Sequence, residues 1–292
     1  MVSAGAVTDA SGTSITIANN ANITGTSISL ADNADTLSIG GTANFNGGAG
    51  NISVAEAGTV NFGKLTFNTT GGAVAIYDDS AMILTGFSTG DSLLLDADGS
   101  ITDDAGTSVV IDNGNASVTG DSINLTDDGT DTFTVNGNAN LTADTSSITI
   151  GAAGNADFNT LTFSAVTSAN ISENTGVLLA GSSSAASLVL AAETNGIADD
   201  ATADLAITNN ATFTANGAGT GFITIGDDAV GNADNFGTLT FNSVGAVAIS
   251  EDSSTEVTGT NTGQSLDLVS AGAVTDASGT SITLTHLSRK PI

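Results

Sequence analysis

The chain has 292 residues, of which 31 are acidic and three are Lys or Arg, giving a formal net charge of −28; it contains no Cys. So acidic a composition excludes nucleic acid as a partner, because no basic patch is available to neutralise phosphates, and it disfavours an anionic membrane surface. Disorder is excluded too, since 40% of the residues are hydrophobic and regularly placed.

In chain order, the first element is a repeat. Val2–Thr16 returns as Val269–Thr283, fifteen identical residues 267 positions apart. Between them Ser100–Val109 matches Ala6–Ile15, and Gly196–Ala201 matches the same start more faintly. A second landmark, Phe62-Gly-Lys-Leu-Thr-Phe67, recurs as Phe158–Phe163 and Phe236–Phe241, at spacings of 96 and 78. A third, Ile76–Gly86, recurs as Ile171–Gly181 and Ile249–Gly259. The chain therefore holds a little over three copies of a long unit, two of about 95 residues and one of about 78. The difference, 95 − 78 = 17, is close to 95/5 = 19, which reads as five small units in the long copy and four in the short one. Loss of a whole small unit is tolerated in a solenoid, where each coil touches only its neighbours.

Within each unit, apolar residues alternate in short bursts such as Ile15-Thr-Ile17, Leu37-Ser-Ile39, Leu65-Thr-Phe67, Val74-Ala-Ile76 and Ile148-Thr-Ile150. A period of two puts the outer residues on one face and the central Thr or Ser on the other. Clusters of Asn, Asp and Gly, such as Ala18–Asn22 and Gly151–Asn155, supply the turns. The fold class predicted is all-β: a single-domain parallel β-helix solenoid over residues 1–285 with about 19 residues per coil. Strands are predicted at Leu65–Phe67, Val74–Ile76, Leu161–Phe163 and Leu239–Phe241, paired in parallel to residues about 17 to 22 positions away. The landmark Phe residues are expected in the core, stacked on one another at matching corners. Residues 286–292, with His286, Arg289, Lys290 and Pro291, fall outside the repeat.

No segment is apolar enough to span a membrane as a helix. Met1 is followed directly by repeat sequence and aligns with the interior position Leu268, so the chain reads as an internal fragment of a longer exported protein. A solenoid cut inside a repeat leaves unpaired backbone edges, from which end-to-end self-association is expected.

Ser-Ala-Gly-Ala-Val-Thr-Asp-Ala-Ser-Gly-Thr, Phe-Gly-Thr-Leu-Thr-Phe-Asn and Ile-Ser-Glu-Asp-Ser-Ser-Thr-Glu-Val-Thr-Gly resemble the degenerate repeats of filamentous haemagglutinin-like, large repetitive bacterial surface adhesins, over residues 1 to about 285. The resemblance implies a right-handed β-helix, export to the cell surface, and a role in adhesion or biofilm through contact of the whole protein with a host or matrix surface, protein or glycan. It leaves open a two-partner, autotransporter or other export route.

Catalytic chemistry finds little support in the sequence. Lys64, the only basic residue before position 286, occupies the slot of Thr160 and Thr238 in the Phe-x-x-Leu-Thr-Phe landmark, so it is expected to point outward with no catalytic partner; His286 lies in the tail, so no Ser-His-Asp arrangement can be assembled within the repeat. Asp96-Ala-Asp98-Gly99 resembles the middle of an EF-hand loop without its first acid or terminal Glu. Asp127-Asp128-Gly-Thr-Asp131 is a further acid cluster. Solvated turn residues account for both, so no catalytic, cofactor-binding or metal site is expected. The function expected is that of a non-catalytic structural shaft of an adhesin. The alternative is a carbohydrate-binding or carbohydrate-cleaving β-helix, toward which Tyr77 beside Asp78 and Asp79 is the one start.

Overall fold

The structure, a computed structural model, describes residues 1–32, 34–55, 57–218, 220–226 and 233–285. His286, Arg289, Lys290 and Pro291 lie outside the described residues. Contacts group the chain into two compact units, Met1–Asn159 and Thr160–Ile292. Among the described residues there are 32 strands and no helix. The predicted strands fall within Thr59–Thr69, Ala73–Asp78, Asn155–Ala165 and Asp234–Ser243.

The strands stack as a parallel β-solenoid of about 12 turns. In the first unit one ladder runs Val7–Ile28–Ile52–Val74–Leu93. A second runs Ala21–Ala43–Leu65–Leu84. From the strand Met82–Leu84 this second ladder continues through Ile101, Ile123 and Ile148. In the second unit the ladders are Ala169–Leu188–Ala211–Leu239 and Val177–Ile197–Ile223–Val247–Leu266. Apart from Leu266, these rungs are the inward residues of the alternating bursts and they are buried. Burying each Val, Leu, Ile or Met side chain among them is worth about 1.5–3 kcal/mol.

The coil is longer than the sequence arithmetic gave: stacked residues lie about 22 apart rather than 19. The division by five assumed that the long repeat is a whole number of coils, and it is not. Val7 and Ile101 occupy the same place in successive copies of the repeat, yet they belong to different ladders. Four coils bring Val7 to Leu93, and a remainder of eight positions, from Leu93 to Ile101, carries the chain round to the next wall. The short repeat behaves alike. Ala169 and Val247 occupy the same place in it; three coils bring Ala169 to Leu239, and from Leu239 to Val247 the remainder is again eight. The short copy has thus lost one whole coil and kept its remainder. Individual steps vary from 18, for Leu161 to Leu179, to 29, for Leu205 to Asp234, because turns absorb insertions without disturbing the walls.

The landmark Phe residues are buried, but their aromatic partners differ from the expectation. Phe62, Phe158 and Phe236 pack edge-to-face on Phe45, Phe133 and Phe213 of the preceding coil, with ring centroids 5.6, 5.2 and 5.6 Å apart. At each second landmark Phe the ladder is irregular in the same way. Leu65 pairs with Leu84 but Asn68 with Thr89, so three steps on one strand face five on the next. The same holds for Leu161–Leu179 with Ser164–Ser184, and for Leu239–Val257 with Asn242–Thr262. A buried polar side chain takes the N–H left without a backbone acceptor. Phe67, Phe163 and Phe241 donate to Ser88 Oγ, Ser183 Oγ and Asn261 Oδ1 at 3.2, 3.1 and 2.8 Å. An unpaired buried N–H would cost about 1–3 kcal/mol, which explains these polar side chains in an apolar core.

Corners where coils approach closely require glycine. A Cβ on Gly72 would lie 2.2 Å from the Gly50 carbonyl oxygen, inside van der Waals contact with rigid backbone. Gly72→Ala is therefore expected to lower the denaturation midpoint clearly, whereas Gly5→Ala, whose Cβ meets nothing nearer than 4.0 Å, leaves it unchanged. Phe213→Ala removes a fully buried ring and its edge-to-face partner, and chemical denaturation should show a loss of about 3–5 kcal/mol. Exposed Phe87 replaced by Ser should show almost none.

Candidate functional site

The recurring chemical feature of the described residues is a step made of carboxylates. Asp9, Asp103 and Asp199 hold the same place in the long repeat, Asp9 directly after the strand Val7–Thr8 and the other two closing the strands Ile101–Asp103 and Ile197–Asp199. In each, Oδ2 accepts the N–H of a residue in the coil above: Ala31 at 3.0 Å, Thr126 at 2.9 Å and Gly226 at 2.7 Å. Those three residues all have positive φ, at 58°, 59° and 73°. For Ala and Thr that conformation costs roughly 1 kcal/mol or more, so the carboxylate holds a turn that would otherwise relax.

A second acid from the coil above faces each step. Asp35 is buried and accepts the Thr13 N–H at 2.7 Å. Asp131, fully buried, accepts Gly106 and Thr107 N–H through Oδ1 at 2.6 and 3.0 Å and Asp128 N–H through Oδ2 at 2.9 Å. In the second unit the buried acid is Asp234, which stands two residues before Phe236, where the other copies carry Val60 and Ala156. In two of the steps a third, exposed acid completes the group. One carboxylate oxygen each from Asp9, Asp32 and Asp35 lie within 4.8 Å of one another, and so do those of Asp103, Asp127 and Asp131.

Burial, with neighbouring charge, pushes three carboxyl pKa values up. Asp103 is pushed up to about 6, first by burial and then by the charges of Asp131 and Asp127. Asp234 is pushed up to about 7 by burial and by the Asp199 charge, with smaller contributions from Asp252 and Asp204. Asp78, two per cent exposed, is pushed up to about 6 mainly by burial, although it accepts hydrogen bonds from Ser80 and from the Phe62 N–H.

The residues singled out in the sequence are placed as follows. The Asp127–Asp131 cluster divides its labour. Asp131 caps backbone, Asp128 accepts Thr130 on the surface, and Asp127 joins Asp103 and Asp131. Asp96 and Asp98 belong to no loop of EF-hand type; with Tyr77, Asp78 and Asp79 they line a surface hollow of about 60 Å³. Lys64 points outward as expected, 43% exposed, and its ammonium pairs with Asp104, whose carboxyl it holds below the usual range. Asp9 and Asp103 had no distinguishing local signal. Their mark was recurrence at one place of the repeat, and the acids they meet arrive from the next coil.

Comparison with protein-family models, with curated proteins and with solved structures finds no match.

The pH dependence of stability follows from the raised carboxyls. A folded-state value above the unfolded one, about 3.9 for Asp, means that the folded chain holds the proton longer. The group's contribution is then most favourable below pH 4 and is lost as pH rises through the folded value. Asp78→Asn keeps an acceptor for Phe62 and Ser80 but removes the titration. Its thermal midpoint should fall less than the wild type's between pH 4 and 7; superimposable pH profiles would contradict this assignment.

Proposed function

We propose that the chain is a non-catalytic structural shaft of an exported bacterial surface adhesin, exposed outside the cell. There it supports attachment or biofilm by spacing the binding regions of its parent protein from the cell surface. The observation that carries this reading is the common eight-residue remainder of the long and the short repeat. A whole coil can be gained or lost without breaking the register, so length is free to vary. Equivalent positions meanwhile turn onto different walls, so a given outward motif is not aligned into one continuous array. Both properties suit a spacer better than a template that must match a periodic ligand. The resemblance of the repeats to large surface adhesins points the same way, as does the acidic surface, which keeps long chains apart.

A carbohydrate-binding role is the second reading, favoured by the hollow that Tyr77 shares with four acids, Asp78, Asp79, Asp96 and Asp98. An aromatic ring beside carboxylates offers a stacking face and hydrogen-bond acceptors for a sugar.

Two measurements separate these readings. Deleting Leu188–Asn210 removes one full ladder step, since Leu188 pairs with Ala211, and should leave a folded chain with an unchanged β-sheet circular dichroism spectrum and a cooperative melt. Deleting half that length should not. On a glycan array and on immobilised matrix proteins, the isolated 292-residue chain is expected to show no saturable binding. Saturable glycan binding abolished by Tyr77→Ala would replace the shaft with the carbohydrate reading.

A further inference from the structure

Residues 2–16 and 269–283 are one sequence in two settings. Both copies fold alike. Strands Val7–Thr8 and Ser14–Ile17 answer to Val274–Asp276 and Ser281–Leu284, and the turn between them has its glycine at φ 80° in one copy, Gly12, and 86° in the other, Gly279. What differs is the neighbour. The first copy is covered by the coil that follows it: Val7 pairs with Ile28, and Ser14, Ile15 and Thr16 pair with Thr36, Leu37 and Ser38. The second copy lies on the coil that precedes it, with Val274 on Thr255 and Ile282 on Asn261. Among the described residues no strand pairs with it on the other side.

The uncovered face is apolar. Val274 is 55% exposed and Ile282 45%, against 5% for Val7. With Leu266 and Leu268 they line a hollow of about 410 Å³. A neighbour on the preceding side alone leaves this valine in water, whereas a neighbour on the following side alone buries it. The chemistry of the cover that fits is on view, because the same fifteen residues carry it elsewhere in the chain. It includes Gly25, where a Cβ would lie 2.9 Å from Val7 Cγ2. It also includes the Ala31 N–H, which donates to Asp9, and the Asp35 carboxylate, which accepts the Thr13 N–H. Asp276 and Thr280 hold the places of Asp9 and Thr13 in the uncovered copy.

We propose that this face is a docking site for a second copy of the same chain, which seats its strands Ile28–Leu30 and Thr36–Gly48 there in exchange for its own residues 2–16. The exchange sacrifices no contact, since an identical coil leaves as one arrives; Leu284 in the place of Ile17 is the one change among the paired residues. The displaced coil of fifteen residues regains its conformational freedom, which outweighs the freedom lost when two molecules join. Swapping an identical element is a low-cost route to association. The docking face and the displaced coil lie at different places in the chain, so the contact is heterologous and can pass from copy to copy. Charge opposes it, because each copy carries −28, and salt screens that repulsion.

The test is sedimentation velocity of the full 292-residue chain over a series of protein and salt concentrations. Species larger than one copy are expected, and more of them as either concentration rises. Two substitutions at equivalent positions should act in opposite directions. Val274→Asp places a charge on the docking face, so association should be lost, while the thermal midpoint stays where it was because that side chain is exposed. Val7→Asp loosens the coil that has to leave, so the distribution should shift to larger species. Register is read by mixing single-cysteine variants, since the chain has no thiol of its own. Thr16 pairs with Ser38, so Thr283→Cys in one copy should form a disulfide with Ser38→Cys in another, and not with Thr16→Cys. A single-copy species under every condition would overturn the proposal. So would loss of association in Val7→Asp as complete as in Val274→Asp. A link from residue 283 to residue 16 in preference to residue 38 would overturn it too, by showing that the two faces merely abut.

Discussion

Every coil of this protein depends on its neighbours for its backbone hydrogen bonds. In a parallel stack the N–H and C=O groups of one strand point along the stack and not within their own coil, so a lone coil satisfies almost none of them. Burial follows the same rule. Val7 and Val274 stand in identical fifteen-residue sequences, yet Val7 is 5% exposed and Val274 is 55% exposed. The side chain does not determine its own burial; the coil laid upon it does. Once stacking is fixed, inward positions must be apolar, corners must be small, and any N–H that misses its ladder partner must find a side chain. Ser88, Ser183 and Asn261 meet that last demand at equivalent irregularities, and Gly72 meets the demand for space.

That hierarchy explains what the sequence discloses. The alternation Leu65-Thr-Phe67 or Ile148-Thr-Ile150 is a local signal, since inward and outward residues differ chemically within three positions, and it identifies strands and their inner faces directly. Coil length is not local. It is set by which residues meet across a gap of about 22 positions, and the repeat length gives it only if repeat and coil are commensurate. The eight-residue remainder breaks that assumption. It displaced the coil estimate to 19, and the ring pairs that form are each between a landmark Phe and a Phe of the coil before it, Phe62 with Phe45, Phe158 with Phe133 and Phe236 with Phe213. The acids were illegible for the same reason. Asp127 and Asp131 stand out as a run, but Asp9 and Asp103 look like ordinary turn residues until the next coil places other carboxylates against them.

The remainder also bears on function. A protein whose repeats return to one wall presents the same motif in a line; one whose repeats advance by a wall distributes it. What this chain repeats faithfully is internal: the Phe pairs, the polar caps under the irregular rungs, and the acids at the turns. Among the outward positions of the same landmark one differs, Lys64 against Thr160 and Thr238, while Thr66, Thr162 and Thr240 are the same in all three copies.

The account stands on register, and register can be read by cross-linking because the chain has no native thiols. Thr212 and Thr240 are rung partners across an unusually long step, whereas Asn235, which stands about one ordinary coil beyond Thr212 in the sequence, pairs with Ala206. Rung partners stand about 4.8 Å apart, within the range of about 4.4–6.8 Å that a disulfide spans between Cα atoms. The double variant Thr212→Cys/Thr240→Cys should therefore oxidise rapidly to an intramolecular disulfide in the folded protein, and Thr212→Cys/Asn235→Cys should not. The opposite pattern would mean that the coils follow a uniform step, and the eight-residue remainder would fall with it.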